Sequence, residues 1–352
     1  MLLASSITPS GAVWAESAAR KAMSTAHVVD LGEFSDHPLV AEFSESFCVT
    51  GASRVSGDVA GALASVRRTA MLLAAFDVAN TRVDPTVVVI DGPVPELVSD
   101  ACSFSALLQV SAAETPLAQR AKTMSDALAG GDVEWIVVAP PERAAMDSVT
   151  VQVAQGCALG LRVAGVLVAP MPRKRDGWPN KIRRSARGLV EQLQDRLFDI
   201  PVQRSRAGKV PVFSSRAARG IEPRGAGPLS VTISPESASL SDLSSESDGG
   251  HVLSVTIPGL QYCDVEVGVW SQDPSYPSTH IVVRLDGVIA RIELDSTLRR
   301  CVAVEAVVAG DSIAVSVRAD PAQWPEPRAS SGASDRANEQ PDEQVGERER
   351  EA

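Results

Sequence analysis

The chain has 352 residues, 44 % of them hydrophobic and 22 % charged, with a formal charge of −11 and only 4 % aromatics. That composition excludes a wholly disordered chain, and the charge and scarce aromatics argue against a nucleic-acid coat that works by base stacking. Five scattered cysteines with no C-x-x-C fit buried thiols in a reducing compartment rather than a disulfide framework or a zinc site. No apolar run approaches the ~18–20 residues of a membrane span, and the N-terminus lacks a signal-peptide pattern, so a cytoplasmic protein without a transmembrane segment is expected.

In chain order, short β-branched runs at Met1–Ala4, His27–Leu31, Thr86–Ile90, Trp135–Ala139, Val163–Ala169 and Val210–Phe213 read as buried parallel strands. Between them, Gly57–Ala79, Ala112–Leu128, Arg143–Gly160 and Lys181–Phe198 read as helices. Strand and helix alternating in this way predict an α/β domain over 1–225, a parallel sheet with helices on both faces. Ser234–Gly250 holds seven serines, four acids and no base, and reads as a solvated linker.

Beyond the linker the helical period stops. His251–Ile257, Asp264–Trp270, Thr279–Leu285, Val288–Leu294, Cys301–Val308 and Ser312–Val317 read as strands, with Leu229–Ile233 as a candidate seventh. Asp286-Gly287 between two of them is a hairpin signal. The expectation is an antiparallel β-sandwich over 226–320, followed by an acidic disordered tail over 321–352.

Charge is segregated. Met171 to Arg224 carries fourteen Lys/Arg against five Asp/Glu. Arg173, Lys174, Arg175, Lys181, Arg183, Arg184 and Arg187 form its densest part. Two readings stand: a solvated face offset by the acidic segments, or a docking surface for an acidic partner or anionic lipid headgroups. The four histidines (His27, His37, His251, His280) show no metal spacing and read as structural or exposed.

The order of these pieces resembles the ArsA-type arsenite-pump ATPases and the related guided-entry ATPases that target tail-anchored membrane proteins, in particular the bacterial branch with a C-terminal α-crystallin-like domain. Ile257-Pro258-Gly259-Leu260 with Asp264-Val265-Glu266-Val267 is similar to the opening strand of small heat-shock domains. Ala306 to Gly310 with Ile313-Ala314-Val315 resembles their closing segment. Val87 to Pro93 lies where the family has a strand ending in D-x-A-P-T-G, whose aspartate holds the water shell of magnesium, and Asp91 is the matching residue. Trp135–Ala139 followed by Pro140-Pro141-Glu142-Arg143 resembles its strand, N-P-E turn and helix, which places Glu142 among the candidate cofactor residues. Ala169 stands where the family's adenine-binding asparagine falls and has no side-chain donor or acceptor. Asp36-His37-Pro38 holds the residue types of the D-P-A-H switch in another order.

Hydrolysis in that family needs a loop of the form G-K-G-G-x-G-K after the first strand. The corresponding stretch, Ala4-Ser5-Ser6-Ile7-Thr8-Pro9-Ser10-Gly11-Ala12, has one glycine and no lysine, and Pro9 removes a backbone donor. The resemblance therefore implies a P-loop-type fold with a degenerate loop. It implies a non-catalytic pseudo-ATPase with no catalytic residue, acting as partner, regulator or chaperone-like scaffold. Homodimers, or heterodimers with an active ArsA-like paralogue, and membrane-protein or unfolded clients are the partners implied. The alternatives are a weakly active ATPase that binds ATP and magnesium, a client-binding small heat-shock-like module, and a basic-surface binder of anionic lipid or nucleic acid, although no nucleic-acid partner is expected.

Overall fold

A computed structural model describes residues 1–6, 27–50, 59–84, 86–169, 180–197, 200–204, 231–235, 250–270, 280–294 and 298–319. Strands β1 (Leu2–Ser6), β2 (His27–Asp30), β3 (Thr86–Asp91), β4 (Glu134–Ala139), β5 (Arg162–Val168) and β6 (Val202–Arg204) form one parallel sheet in the order β2-β3-β1-β4-β5-β6. The described helices are α1 (Pro38–Thr50), α2 (Val59–Thr81), α3 (Val94–Ala112), α4 (Pro116–Ala129), α5 (Arg143–Ala158) and α6 (Asn180–Arg196). From β2 onward every connection steps the same way across the sheet, and right-handed crossovers then place the intervening helices on one face. Each of the six contributes buried residues to the core cluster on that face, around Leu3, Val88, Ile90, Trp135 and Val137. The opposite face holds its own cluster, Leu2, Ala4, Val28, Val87, Val89, Ile136, Val138 and Leu167, with no buried residue from a described helix.

Several boundaries differ from the sequence expectation for identifiable reasons. One helix over Ala112–Leu128 is expected, yet α3 ends at Ala112 and α4 starts at Pro116. Thr115 caps the new helix by accepting from the Ala118 amide at 3.2 Å, and Pro116 supplies a first-turn φ without losing a bonded N–H. Helices α1 and α3 are not anticipated; α1 opens on Pro38 and α3 on Pro93 and Pro95, positions at a helix start where proline is tolerated. β6 is Val202–Arg204, and the expected strand at 210–213 lies outside the described residues.

The C-terminal region forms two antiparallel sheets. β7 (Val231–Pro235), β8 (His251–Thr256), β13 (Ser312–Ala319) and β12 (Cys301–Ala309) make one in the order β12-β13-β8-β7; β9 (Val265–Trp270), β10 (His280–Leu285) and β11 (Val288–Glu293) make the other in the order β11-β10-β9. The seventh strand is present as β7. Asp286 and Gly287 take φ of 45° and 92° in the β10–β11 hairpin, as the two-residue turn requires. Alternation selects the buried faces: Leu253 and Val255, Ile281, Val283 and Leu285, Ala290 and Ile292, Ile313, Val315 and Val317.

The two regions are not insulated from each other. Those C-terminal residues belong to the same core cluster as the helices of the parallel sheet. Helix α5 is the joint. Its residues from Val153 to Ala158 are all buried, which an amphipathic surface helix would not show. On one side Gly156 meets the Trp135 ring of β4, where an added Cβ would lie 2.5 Å from Cζ3. On the other side the Gln155 Nε2 donates to the Leu285 carbonyl at 3.0 Å. Gly259, at φ 81°, turns the chain against α5, and a Cβ there would lie 3.0 Å from Thr150 Cγ2. The Arg196 guanidinium sits 4.6 Å above the Tyr262 ring and also reaches Asp147 at 2.6 Å.

Candidate functional site

The sheet order makes one location special. After β1 the chain crosses to β2 on one side, and after β4 it proceeds to β5 on the other. Ligands of open parallel sheets sit beyond the carboxyl ends of strands at such a switch point. Here it is the end of β1 between β3 and β4, with Ser6 in register with Asp91 on one side and Val138 on the other.

Ser5, one residue before that end, is fully buried, and its hydroxyl accepts a hydrogen bond from Trp135 Nε1 at 2.9 Å. Asp91 ends β3 with an exposed carboxylate, while its carbonyl accepts from Arg68 Nη2 at 3.4 Å. Gly92, at φ 108°, then directs the chain into α3. That helix begins with Pro93 at its N-cap and Pro95 in its first turn, together with Glu96. Two of the positions that would present N–H groups thus have none, and an acid already faces the positive end of the helix dipole.

Glu142 lies beyond β4, at the N-cap of α5. Its carboxylate makes no cap bond and is exposed, while its amide donates to the Pro140 carbonyl at 2.8 Å. Asp91, in register with Ser6, and Glu142, three residues beyond the end of β4, therefore lie on either side of the end of β1 at one edge of the sheet. Ala169, just past β5, uses its amide on the Ala139 carbonyl at 2.8 Å and brings no polar side chain to that edge.

The neighbouring histidine and aspartate positions have local structural work. Asp30 caps a 3-10 turn over Leu31–Phe34 by accepting from the Gly32 amide at 2.7 Å, and Glu33 bonds back to the Asp30 amide at 3.1 Å. His37 Nδ1 accepts from the Leu39 amide at 3.3 Å at the start of α1. His280 is partly buried in β10, and burial lowers its pKa below the ordinary histidine value. Among the described residues no group of three or more His, Cys, Asp or Glu is placed to hold a metal ion.

Arg173, Lys174 and Arg175 lie outside the described residues, as do the side chains of Lys181 and Arg183. Arg184 and Arg187 are exposed on α6, whose opposite side buries Ala186, Val190 and Leu193. Because α6 follows β5, its first turns sit at the same carboxyl edge as Asp91 and Glu142. Arg68 is the site residue that sequence reasoning misses. It belongs to an Ala- and Leu-rich helix without a motif, and only the packing of α2 beside β3 brings its guanidinium to this edge.

Cys102, Cys157, Cys263 and Cys301 are all free thiols, and burial raises the pKa of each. No helix among the described residues is long and apolar enough to cross a membrane. In comparisons with known proteins, no family model and no curated protein matches the chain.

Proposed function

We propose that the chain is a non-catalytic binding protein built on a P-loop-type α/β domain, similar to the ArsA and guided-entry ATPases, with an α-crystallin-like pair of sheets fixed to it. The observation that carries this reading is the chemistry at the end of β1. A triphosphate needs backbone N–H donors and cations there. The edge keeps the Asp91 carboxylate, which would suit the water shell of magnesium, but for the phosphates it offers the Glu96 carboxylate and two prolines at the start of α3 and a Ser5 hydroxyl already engaged by Trp135. The segment after Ser6 contributes no lysine before Lys21. Arg68 is the cation nearest to Asp91 that the hydrogen bonds reveal, and its guanidinium is turned to a backbone carbonyl. This donor set does not suit ATP with magnesium, so no hydrolytic step is assigned to the chain.

Its role is then that of a partner: a homodimer, or one half of a heterodimer with an active paralogue, offering an interface that does not depend on ATP. Recovery of the chain at native levels tests this. An ATPase with an intact phosphate loop, or a second copy of the chain, is expected to come with it. A monomer that turns over ATP by itself would overturn the proposal.

A second reading has its own observation. The edge strand β12 leaves Val302, Val304, Val307 and Val308 between 42 % and 54 % exposed. An apolar edge of this kind is suited to an extended apolar segment of an unfolded client, held by strand addition. Suppression of client aggregation by the full chain, lost on Val304→Lys and Val307→Lys, would favour it. Suppression unchanged in that double variant would remove it.

A further inference from the structure

Helix α6 carries two exposed cations with no carboxylate beside them. Arg184 and Arg187 have no ion-pair or hydrogen-bond partner among the described residues. Glu191, one turn on from Arg187, is already held by Arg204 at 3.4 Å. In the sequence these two arginines close a run of seven cations from Arg173 to Arg187 in which Asp176 is the single acid. Like charges so close raise the energy of the folded state unless anions lie near them. The chain carries such anions itself. Residues 321–352 hold eight acids and four arginines, and between Arg336 and Arg348 the acids Glu339, Asp342, Glu343 and Glu347 stand without a base. We propose that this acidic stretch of the chain's own C-terminus, 339–347, docks on the Arg184–Arg187 face of α6.

Reach selects this segment. The far end of α6 is fixed against the C-terminal region, where Gly259 lies against Leu197 and Arg196 over the Tyr262 ring. Beside that joint the Ile257 amide donates to the Asp311 carbonyl at 2.7 Å, and β13 then carries the chain away to Ala319. The eight residues of β13 cover about 25 Å and the 17 residues of α6 about 25 Å, so the path from Ala319 to the start of α6 is on the order of 50 Å. Residues 320–338, fully extended, span up to about 63 Å, which brings Glu339 to Arg184. The other acidic stretch, 236–248, does not reach. It is held at both ends, because Pro235 and His251 are paired across β7 and β8, so it extends from that pair by no more than about seven residues, or roughly 23 Å. Exposed ion pairs are individually weak, so the contact relies on several charges and on the tether, which keeps the segment at a high effective concentration. An acidic partner from outside meets this face only by displacing it.

The test uses the full chain with Arg184→Lys and Arg187→Lys, which keeps both charges and supplies amines. A carbodiimide at low salt and high dilution joins amines to carboxylates in contact with them, and peptide mass spectrometry locates the links. Links from α6 to residues 339–347 of the same chain are expected, reduced at least about tenfold at roughly 1 M salt, where the screening length is about 3 Å. Retention on a sulfonate resin gives a second readout. Glu339→Gln, Asp342→Asn and Glu343→Gln together should lengthen the retention of the parent chain. They should do so much less in a chain that also carries Arg184→Glu and Arg187→Glu, because the face they uncover is then gone. No link to 339–347, links only between two chains, links to the acids of 236–248 in their place, or an equal gain in retention in both chains would overturn the proposal.

Discussion

The Gln155 side-chain amide donates to the Leu285 carbonyl at 3.0 Å, a buried contact between residues 130 positions apart. One belongs to the helix that covers the parallel sheet, the other to the end of β10 in the C-terminal region. With Gly259 pressed on Thr150 and Arg196 stacked on Tyr262, it makes the two regions one packed body. Such a joint holds the surfaces of both regions in a fixed relation.

Gln155→Leu should destabilise the protein by about 1–3 kcal/mol, because the Leu285 carbonyl loses its donor in a buried place. Urea unfolding monitored by circular dichroism and by tryptophan fluorescence should give coincident single transitions in both proteins, with a lower midpoint for the variant. Separate transitions in the parent protein would mean that the joint does not couple the two regions.

Gly156→Ala adds a methyl group where Trp135 Cζ3 is 2.5 Å and Cε3 2.9 Å away. Neither the ring, fully buried in β4, nor α5, held between two sheets, has room to yield. A loss of about 1–3 kcal/mol is expected. The Trp135 Nε1 bond to Ser5 should be disturbed as well, and a changed fluorescence spectrum would report it. Unaltered stability would mean that the helix shifts freely on the sheet.

Much of this architecture is legible in the sequence because burial and period agree. Val87 to Ile90 and Trp135 to Ala139 are continuous apolar runs, as strands covered on both faces must be, and both are strands. Asp264 to Gly268 alternates in the sequence, and exposure alternates with it, with Asp264, Glu266 and Gly268 exposed and Val265 and Val267 half-buried. The joint is not legible in that way. Arg143–Gly160 reads as a helix like the others, and what marks its burial on two sides is all-round apolarity together with small residues, a pattern without a repeat. Ser234–Gly250 reads as a linker between independent parts, yet linker composition carries no information on whether the flanking parts dock. At the site, Asp91 is visible through the strand it ends and Glu142 through the Pro140-Pro141 turn after β4, whereas Arg68 arrives by tertiary packing alone.

Cys157 is buried, and its thiol is pushed from 9.0 up to about 12. Its folded pKa lies above its unfolded value, so its contribution to stability is intact below pH 9 and is lost as pH rises toward 12. Stability should therefore fall through that window, and Cys157→Ala should reduce the slope there while leaving the slope near neutrality unchanged. Iodoacetamide at pH 8 should modify Cys157 only after unfolding. Modification of the native protein at the unfolded rate would contradict its burial.

Arg184 and Arg187 project from α6 into solvent, so reversing both to Glu should change stability by no more than about 0.5 kcal/mol. Retention of the full chain on an anionic resin at low salt should fall in the double variant, and the difference should shrink as salt rises. Equal retention at low salt would return this face to the category of ordinary solvated surface.

Nucleotide binding by the full chain tests the central claim most directly. Calorimetric titration with ATP and magnesium should give a dissociation constant no tighter than millimolar, about −4 kcal/mol, because two prolines open α3 beside the end of β1 and the sequence after Ser6 carries no lysine before Lys21. A micromolar constant that depends on magnesium and is lost on Asp91→Ala would contradict the account and make the chain a nucleotide-dependent protein.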